Sequence, residues 1–317
     1  MYTYVFTVEN FIKLELKYNT MKKFLLMAVV AVATLATSCT KDESLIKPTQ
    51  KPAEQTSEIT FNISTLEYFT RVYGSGMQAT DLHWAVYDHN TKEMLFCSET
   101  PTTMNGLTAQ VSIPFVNNLS YDVLFWAESA DAPYAVDWEH ATFTYDTTAP
   151  LKANQESYDA FFCYHQVGLV TGPISHEITL KRPFAQVNIA TADYATAGVS
   201  ITQTKVVVED VYTTFDLRAN NVTGTPQTLT FDYSAMPDGE VSVNSAQYDI
   251  LAFNYLLVTG EQSLVDITFG YKDSSNNEKT ISYHDIPVQQ NYKTNIVGNL
   301  LSGGTSSVSA KAIVTMQ

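Results

Sequence analysis

The sequence predicts an all-β protein, two tandem antiparallel β-sandwiches behind a signal peptide and a tether. Three observations carry this prediction. The chain holds 19 Tyr and 16 Phe with long Thr-rich stretches, side chains that suit a pleated, half-buried surface. Apolar residues recur at alternate positions, and no stretch sustains a helical period. Turn-forming clusters divide the alternating runs at the short intervals of a sandwich.

The N-terminus reads as an address. Residues 1–20 precede a second start at Met21 and read as an upstream mis-start within a signal peptide placed at 1–38. Met21-Lys22-Lys23 opens a basic segment, Phe24 to Leu35 is apolar, and Ala36-Thr37-Ser38-Cys39 follows. Twelve apolar residues are too few to span a bilayer, which needs about 20, so the segment fits a secretory signal with small residues before its cleavage point. Cys39 directly after them resembles a bacterial lipobox, with Ala36 where Leu is commoner. That resemblance implies diacylation of the Cys39 thiol; the competing reading is an ordinary signal peptide with a chance cysteine. Thr40-Lys41-Asp42-Glu43 resembles the Lys-plus-acidic tag of Bacteroides-type lipoproteins displayed on the outer face of the outer membrane. Residues 44–57 are polar with two prolines and suit a flexible tether, giving a lipidated linker over 39–57.

The strands follow from alternation. Ile59, Phe61 and Ile63 alternate with polar residues, as do Leu82, Trp84 and Val86. Leu107, Ala109, Val111, Ile113 and Phe115 form the cleanest run. Ala141-Phe143-Tyr145, Leu229-Phe231-Tyr233 and Val265-Ile267-Phe269-Tyr271 repeat it. Each run puts one face in a core and one in water. Tyr121 to Ala127 is apolar on both faces and predicts a central strand. Turns are expected at Asp88-His89-Asn90, Asn105-Gly106, Asn220-Asn221, Pro237-Asp238-Gly239 and Asp273 to Asn277. The best helical candidate is a turn or two over Lys152 to Tyr158. In Ile178 to Ile189 the apolar phase changes from even to odd numbers at Pro183, which calls for a bulge or a passage between sheets or domains. The boundary is placed nearby, giving an N-terminal sandwich over 58–177 and a C-terminal one over 178–317.

Formal net charge is −15. Without the first 38 residues the chain keeps 14 basic and 31 acidic residues. A surface this acidic repels phosphate backbones, so nucleic acid is excluded as a partner. Cys97 and Cys163 lie among apolar neighbours, favouring buried free thiols over a disulfide. The six histidines show no HExxH or paired His/Cys spacing, so no metal and no cofactor are expected. Gly74-Ser75-Gly76 lacks the pattern of a nucleophile elbow. Asp137-Trp138-Glu139 offers two carboxylates, but glycoside hydrolysis needs a defined separation across a cleft. The expectation is a non-enzyme with no catalytic residues. Tyr134 and Trp138, with Trp126, are the aromatic residues placed to stack on glycans; packing in the sandwich core is the competing reading, strongest for Trp126.

Leu180 to Ile189 (LKRPFAQVNI) and Ile286 to Leu301 (IPVQQNYKTNIVGNLL) resemble the fimbrillin-like lipoproteins of Bacteroides-type bacteria, in particular a subgroup whose domain has no assigned function. Thr70-Arg71 before a glycine loop and the Leu82 to Tyr87 strand fit as well. The resemblance implies two transthyretin-like sandwiches, export as an outer-membrane lipoprotein at the cell surface, and in many members assembly into fimbriae. In that assembly a protease cuts after an arginine near the end of the first strand, and the opened groove accepts a strand from the next subunit, by main-chain pairing with alternate side chains in pockets. Arg71 is the candidate cleavage site, against a solvated strand-end arginine. Val308, Ala310, Ala312, Val314 and Met316, beyond a Ser302-Gly303-Gly304 hinge, are the candidate donor strand, against an edge strand of their own domain. The implied partners are other fimbrial subunits, outer-membrane lipid through the acyl anchor, and host or bacterial surface glycans or proteins. The functional expectation is a fimbrial subunit or accessory component in adhesion; the alternative is a monomeric glycan-binding lipoprotein of a nutrient-uptake system.

Overall fold

The computed structural model describes residues 54–65, 74–302 and 310–316; Cys39, Arg71 and Val308 lie outside them. In the first half, β1 (Thr56–Thr65), β2 (Asp81–Asp88), β3 (Met94–Cys97), β4 (Thr102–Thr103), β5 (Thr108–Val116) and β6 (Ser120–Glu128) are followed by β7 (Tyr134–Asp137), β8 (Thr142–Tyr145), β9 (Phe161–Leu169) and β10 (Ile174–Leu180). The second half continues with β11 (Phe184–Thr191), β12 (Ile201–Val211), β13 (Thr214–Asp216), β14 (Asn221–Thr223), β15 (Gln227–Ala235) and β16 (Glu240–Val243). It ends with β17 (Ala246–Leu257), β18 (Ser263–Asp273), β19 (Glu278–Val288), β20 (Tyr292–Gly298) and β21 (Ala310–Met316). The predicted helical stretch is a single 3-10 turn, Glu156–Tyr158. The fold is all-β.

Sheet β10-β1-β5 faces sheet β3-β2-β6-β9 across one core, and sheet β16-β17-β11-β20-β21 faces β15-β12-β18-β19 across another. The two sandwiches repeat one seven-strand plan. In each, the seventh, first and fourth strands make one sheet in that order, and the third, second, fifth and sixth make the other. The purely antiparallel expectation is corrected here. The first strand pairs antiparallel with the fourth but parallel with the seventh, in β1–β10 and again in β11–β20. The cause is the crossing between layers: the sixth-to-seventh hairpin steps from one sheet to the other, so the seventh strand returns in the direction of the first, the long-range crossover that parallel pairing requires.

A third sheet, β14-β13-β8-β7, draws two strands from each half. It explains why Tyr121 to Ala127 is apolar on both faces. Val123 and Phe125 point into the first sandwich, while Leu124 and Trp126 point the other way into the core that contains the third sheet, with the Trp126 ring 4.5 Å from Phe143. That core runs on through Phe215 and Phe184 to Phe253 and Phe269 of the second sandwich.

The apolar phase change is a passage between sheets. β10 closes at Leu180 in the first sandwich, β11 opens at Phe184 in the second, and Lys181 to Pro183 carry the chain across. Residue 177 falls within β10.

Candidate functional site

β1 occupies the middle of a sheet of only three strands, bonded to β5 on one side and β10 on the other. Its alternation buries Ser57, Ile59, Phe61, Ile63 and Thr65. Phe61 packs 5.1 Å from Phe125 and 6.4 Å from Phe115. On the outer face Thr60 meets Ser112 at 3.2 Å, Asn62 donates to Glu177 at 2.7 Å, and Gln110 donates to Asn62 at 2.8 Å. Take β1 away and the apolar rows of β5 and β6 line an open groove.

β21 lies at the sheet edge opposite β16 and pairs only with β20, antiparallel, from Tyr292↔Met316 to Gly298↔Ala310. Of the predicted donor residues, Ala310 is exposed, and Ala312 and Val314 are half-buried, with Ala312 packed on the large core. Ile313, on the face the alternation leaves outside, packs against the small cluster of Ala190, Val243, Ile250 and Val297. Both faces of this strand therefore touch the second sandwich, and the strand adds to the edge of its own domain's sheet.

Between β1 and β2 the described chain resumes at Gly74, three residues past Arg71, and is gripped at once. Glu156 Oε1 accepts the Gly74 N–H at 2.7 Å and the Tyr255 hydroxyl at 3.0 Å. Arg182 donates through Nη2 to the Gly74 carbonyl at 2.5 Å, and through Nε and Nη2 to the two Asp159 oxygens at 2.7 Å each. The guanidinium also lies 4.6 Å above the Phe161 ring. Arg182 and Asp159 are both buried. Burial pushes the Glu156 carboxyl up, and the Asp159 charge adds to the shift. Gly74 is left-handed, φ 80°, and a Cβ there would stand 2.4 Å from Gln186 Oε1. Arg182 sits within the LKRPF motif, yet the sequence alone marks it only as a charge beside a proline. That it is buried, and that its partner is Asp159 23 residues away, follows from the chain crossing between sandwiches at that point.

Tyr134 stands inside the aromatic core: its ring stacks on Phe184 at 5.3 Å and meets Tyr145 at 5.5 Å and Trp126 at 5.8 Å. Its hydroxyl donates to the Tyr158 carbonyl. Trp126 is fully buried. Trp138 is half-buried; its carbonyl accepts the Tyr87 hydroxyl at 2.6 Å and its ring lies 6.1 Å from His83. Asp137 binds His140 at 2.7 Å. Cys97 and Cys163 are half-buried, less enclosed than their apolar neighbours suggest, and burial pushes the Cys163 thiol up.

Two features have no sequence signature. His165 Nε2 and His176 Nδ1 lie 3.1 Å apart at the β9–β10 corner, beside Phe61. Asp122, fully buried on β6, accepts from His89, Lys92 and Tyr164. Among the described residues no group of three His, Cys, Asp or Glu side chains is placed to hold a metal ion, and no helix is long and apolar enough to cross a membrane.

The fold is shared with solved structures. A candidate adhesin from Bacteroides thetaiotaomicron superposes with a TM-score of 0.51 at 9% identity, covering 83% of this chain and 98% of that one. Another from Bacteroides ovatus gives 0.50 at 14% identity, covering 81% and 94%. A tip fimbrial protein from Porphyromonas gingivalis gives 0.45 at 9% identity, covering 83% and 100%. No curated protein matches. The model of a family of unknown function, DUF6562, matches residues 48–313, and the chain belongs to that family.

Proposed function

We propose that the protein is a surface lipoprotein of the fimbrillin type, a subunit or accessory component of a fimbria that acts in adhesion by β-strand exchange. One observation carries the reading: the first strand is the middle strand of a three-stranded sheet, and the last strand hangs on a single neighbour at a sheet edge. Loss of β1 leaves unpaired main chain on β5 and β10 over an apolar floor, the condition that main-chain pairing with an added strand relieves. β21 is reached through Gly303-Gly304 and supplies a strand of matching length. The Gly74 clamp adds to this, since it holds the chain just past Arg71 while β1 leaves. Two Bacteroides structures of this fold are described as candidate adhesins, which agrees with a role in adhesion without catalysis.

The test is treatment of the purified chain, residues 40–317, with an Arg-specific protease. The expected result is cleavage after Arg71 followed by ladders of higher mass on gels, and no ladders from a chain ending at residue 302. A protein that stays intact and monomeric overturns the strand-exchange reading.

A further inference from the structure

Five large apolar side chains are exposed among the described residues: Met77, Leu119, Leu169, Ile174 and Leu264. Three of the five share one pole of the first sandwich. Leu119 lies in the β5–β6 turn, and its carbonyl accepts the Val170 N–H at 2.9 Å. Leu169 ends β9 opposite Ser120, and Ile174 opens β10 beside Ile59. Their exposures are 49%, 60% and 55%, more than half of each side chain on average. The two tips that carry them, 116–120 (VNNLS) and 169–174 (LVTGPI), contain no charge. Nearby charges stand at the rim: Glu54 and Glu58 are exposed, and the β2–β3 turn touches Ser120 through the His89 N–H.

The chain enters the sandwich at this same pole. The Gln55 carbonyl accepts the Asn117 N–H at 2.8 Å, and β1 and β10 both run from here toward the opposite pole, where the chain passes to the second sandwich. Between Cys39 and Glu54 lie 14 residues, a coil whose root-mean-square span is roughly 20 Å. An acyl chain on Cys39 therefore brings this pole, before any other surface, to the membrane. Scattered single apolar residues need no partner, whereas grouped uncharged ones mark a contact.

We infer that the Leu119–Leu169–Ile174 pole is a lipid-docking face, which seats the first sandwich on the bilayer and holds the long axis of the molecule away from it. The inference rests on the lipoprotein reading above. The face takes acyl chains and glycerol backbones at the headgroup boundary, as shallow apolar anchors do. It uses no ionic contact, so the attraction is insensitive to salt, and Glu54 and Glu58 stay at the water side of the rim.

The test uses the acylated full chain in phosphatidylcholine–phosphatidylethanolamine vesicles, with Cys97 and Cys163 replaced by Ala and folding checked by circular dichroism. A bimane label is placed at Thr171→Cys, between the two tips, or at Asn277→Cys in the distant β18–β19 turn. Lipid spin labels near the headgroup are expected to quench position 171 at least threefold more than position 277. The triple substitution Leu119→Ser, Leu169→Ser, Ile174→Ser should remove the difference while the protein still sediments with vesicles. Equal quenching of the two labels in protein that does sediment overturns the docking face and leaves the anchor standing. Absence of acyl mass on Cys39, with no sedimentation, overturns the lipoprotein reading and the inference with it. A dimer that the triple substitution abolishes assigns the face to a second copy and also overturns it.

Discussion

Replacing Arg182 by Met removes the charge that holds three segments together and leaves volume nearly unchanged. Asp159 is then a buried carboxylate without its two 2.7 Å partners, and the Gly74 carbonyl loses its donor. Breaking one side of a buried pair costs about 3–5 kcal/mol, because the stranded charge stays desolvated. At roughly 2–4 °C per kcal/mol for a chain of this size, the melting midpoint should fall by about 10 °C. Asp159→Leu strands Arg182 in the same way. The double variant Arg182→Met/Asp159→Leu has no stranded charge, so its loss should be smaller than the sum of the singles by at least about 2 kcal/mol, whereas independent sites add to within about 0.5 kcal/mol. Urea unfolding of the four proteins, followed by tryptophan fluorescence, gives the cycle. Additive losses, or an Arg182→Met loss below about 1 kcal/mol, would refute the idea that this pair fastens the Gly74 segment to the second sandwich.

Gly74→Ala places a Cβ at φ 80° and 2.4 Å from Gln186 Oε1; a loss of about 1–3 kcal/mol is expected by urea titration, and an unchanged midpoint would show that the segment is not gripped. Burial raises the Glu128 carboxyl to about 7. Its folded pKa lies above the unfolded one, so its contribution is complete below pH 4.5 and is lost as pH rises to about 7, by about 2–3 kcal/mol in all. Glu128→Gln should therefore gain stability relative to the parent as pH goes from 4.5 to 7.5, and parallel pH profiles would contradict the assignment. His165 and His176 are both held below their ordinary pKa, chiefly by burial, with Asp122 opposing the shift at His165. Their contribution is present above pH 6.5 and lost as pH falls. A His165→Phe/His176→Phe protein should lose less stability than the parent between pH 7 and 5, measured by thermal melts, and an equal loss would remove the pair from the acid response.

The sequence by itself determined the strand class and much of the local geometry. Period-2 alternation places Ile59, Phe61 and Ile63 on one face because successive side chains of an extended chain must point to opposite sides, and no distant residue is needed to say so. The same steric rule makes the phase slip at Pro183 a change of sheet, and puts turns where Asn105-Gly106 and Asp273 to Asn277 supply the backbone freedom. Tertiary structure decided what alternation cannot encode. The parallel partners of β1 and β11 come from connections 100 or more residues long, and the third sheet pairs β8 with β13, some 70 residues apart. The burial of Arg182 against Asp159 and the facing of His165 and His176 depend on which strands the layers bring together. The position of β21 on its own domain's edge was one of two readings equally open in the chain, because a period-2 strand fits any unpaired edge of the right register, and only the folded neighbours select one.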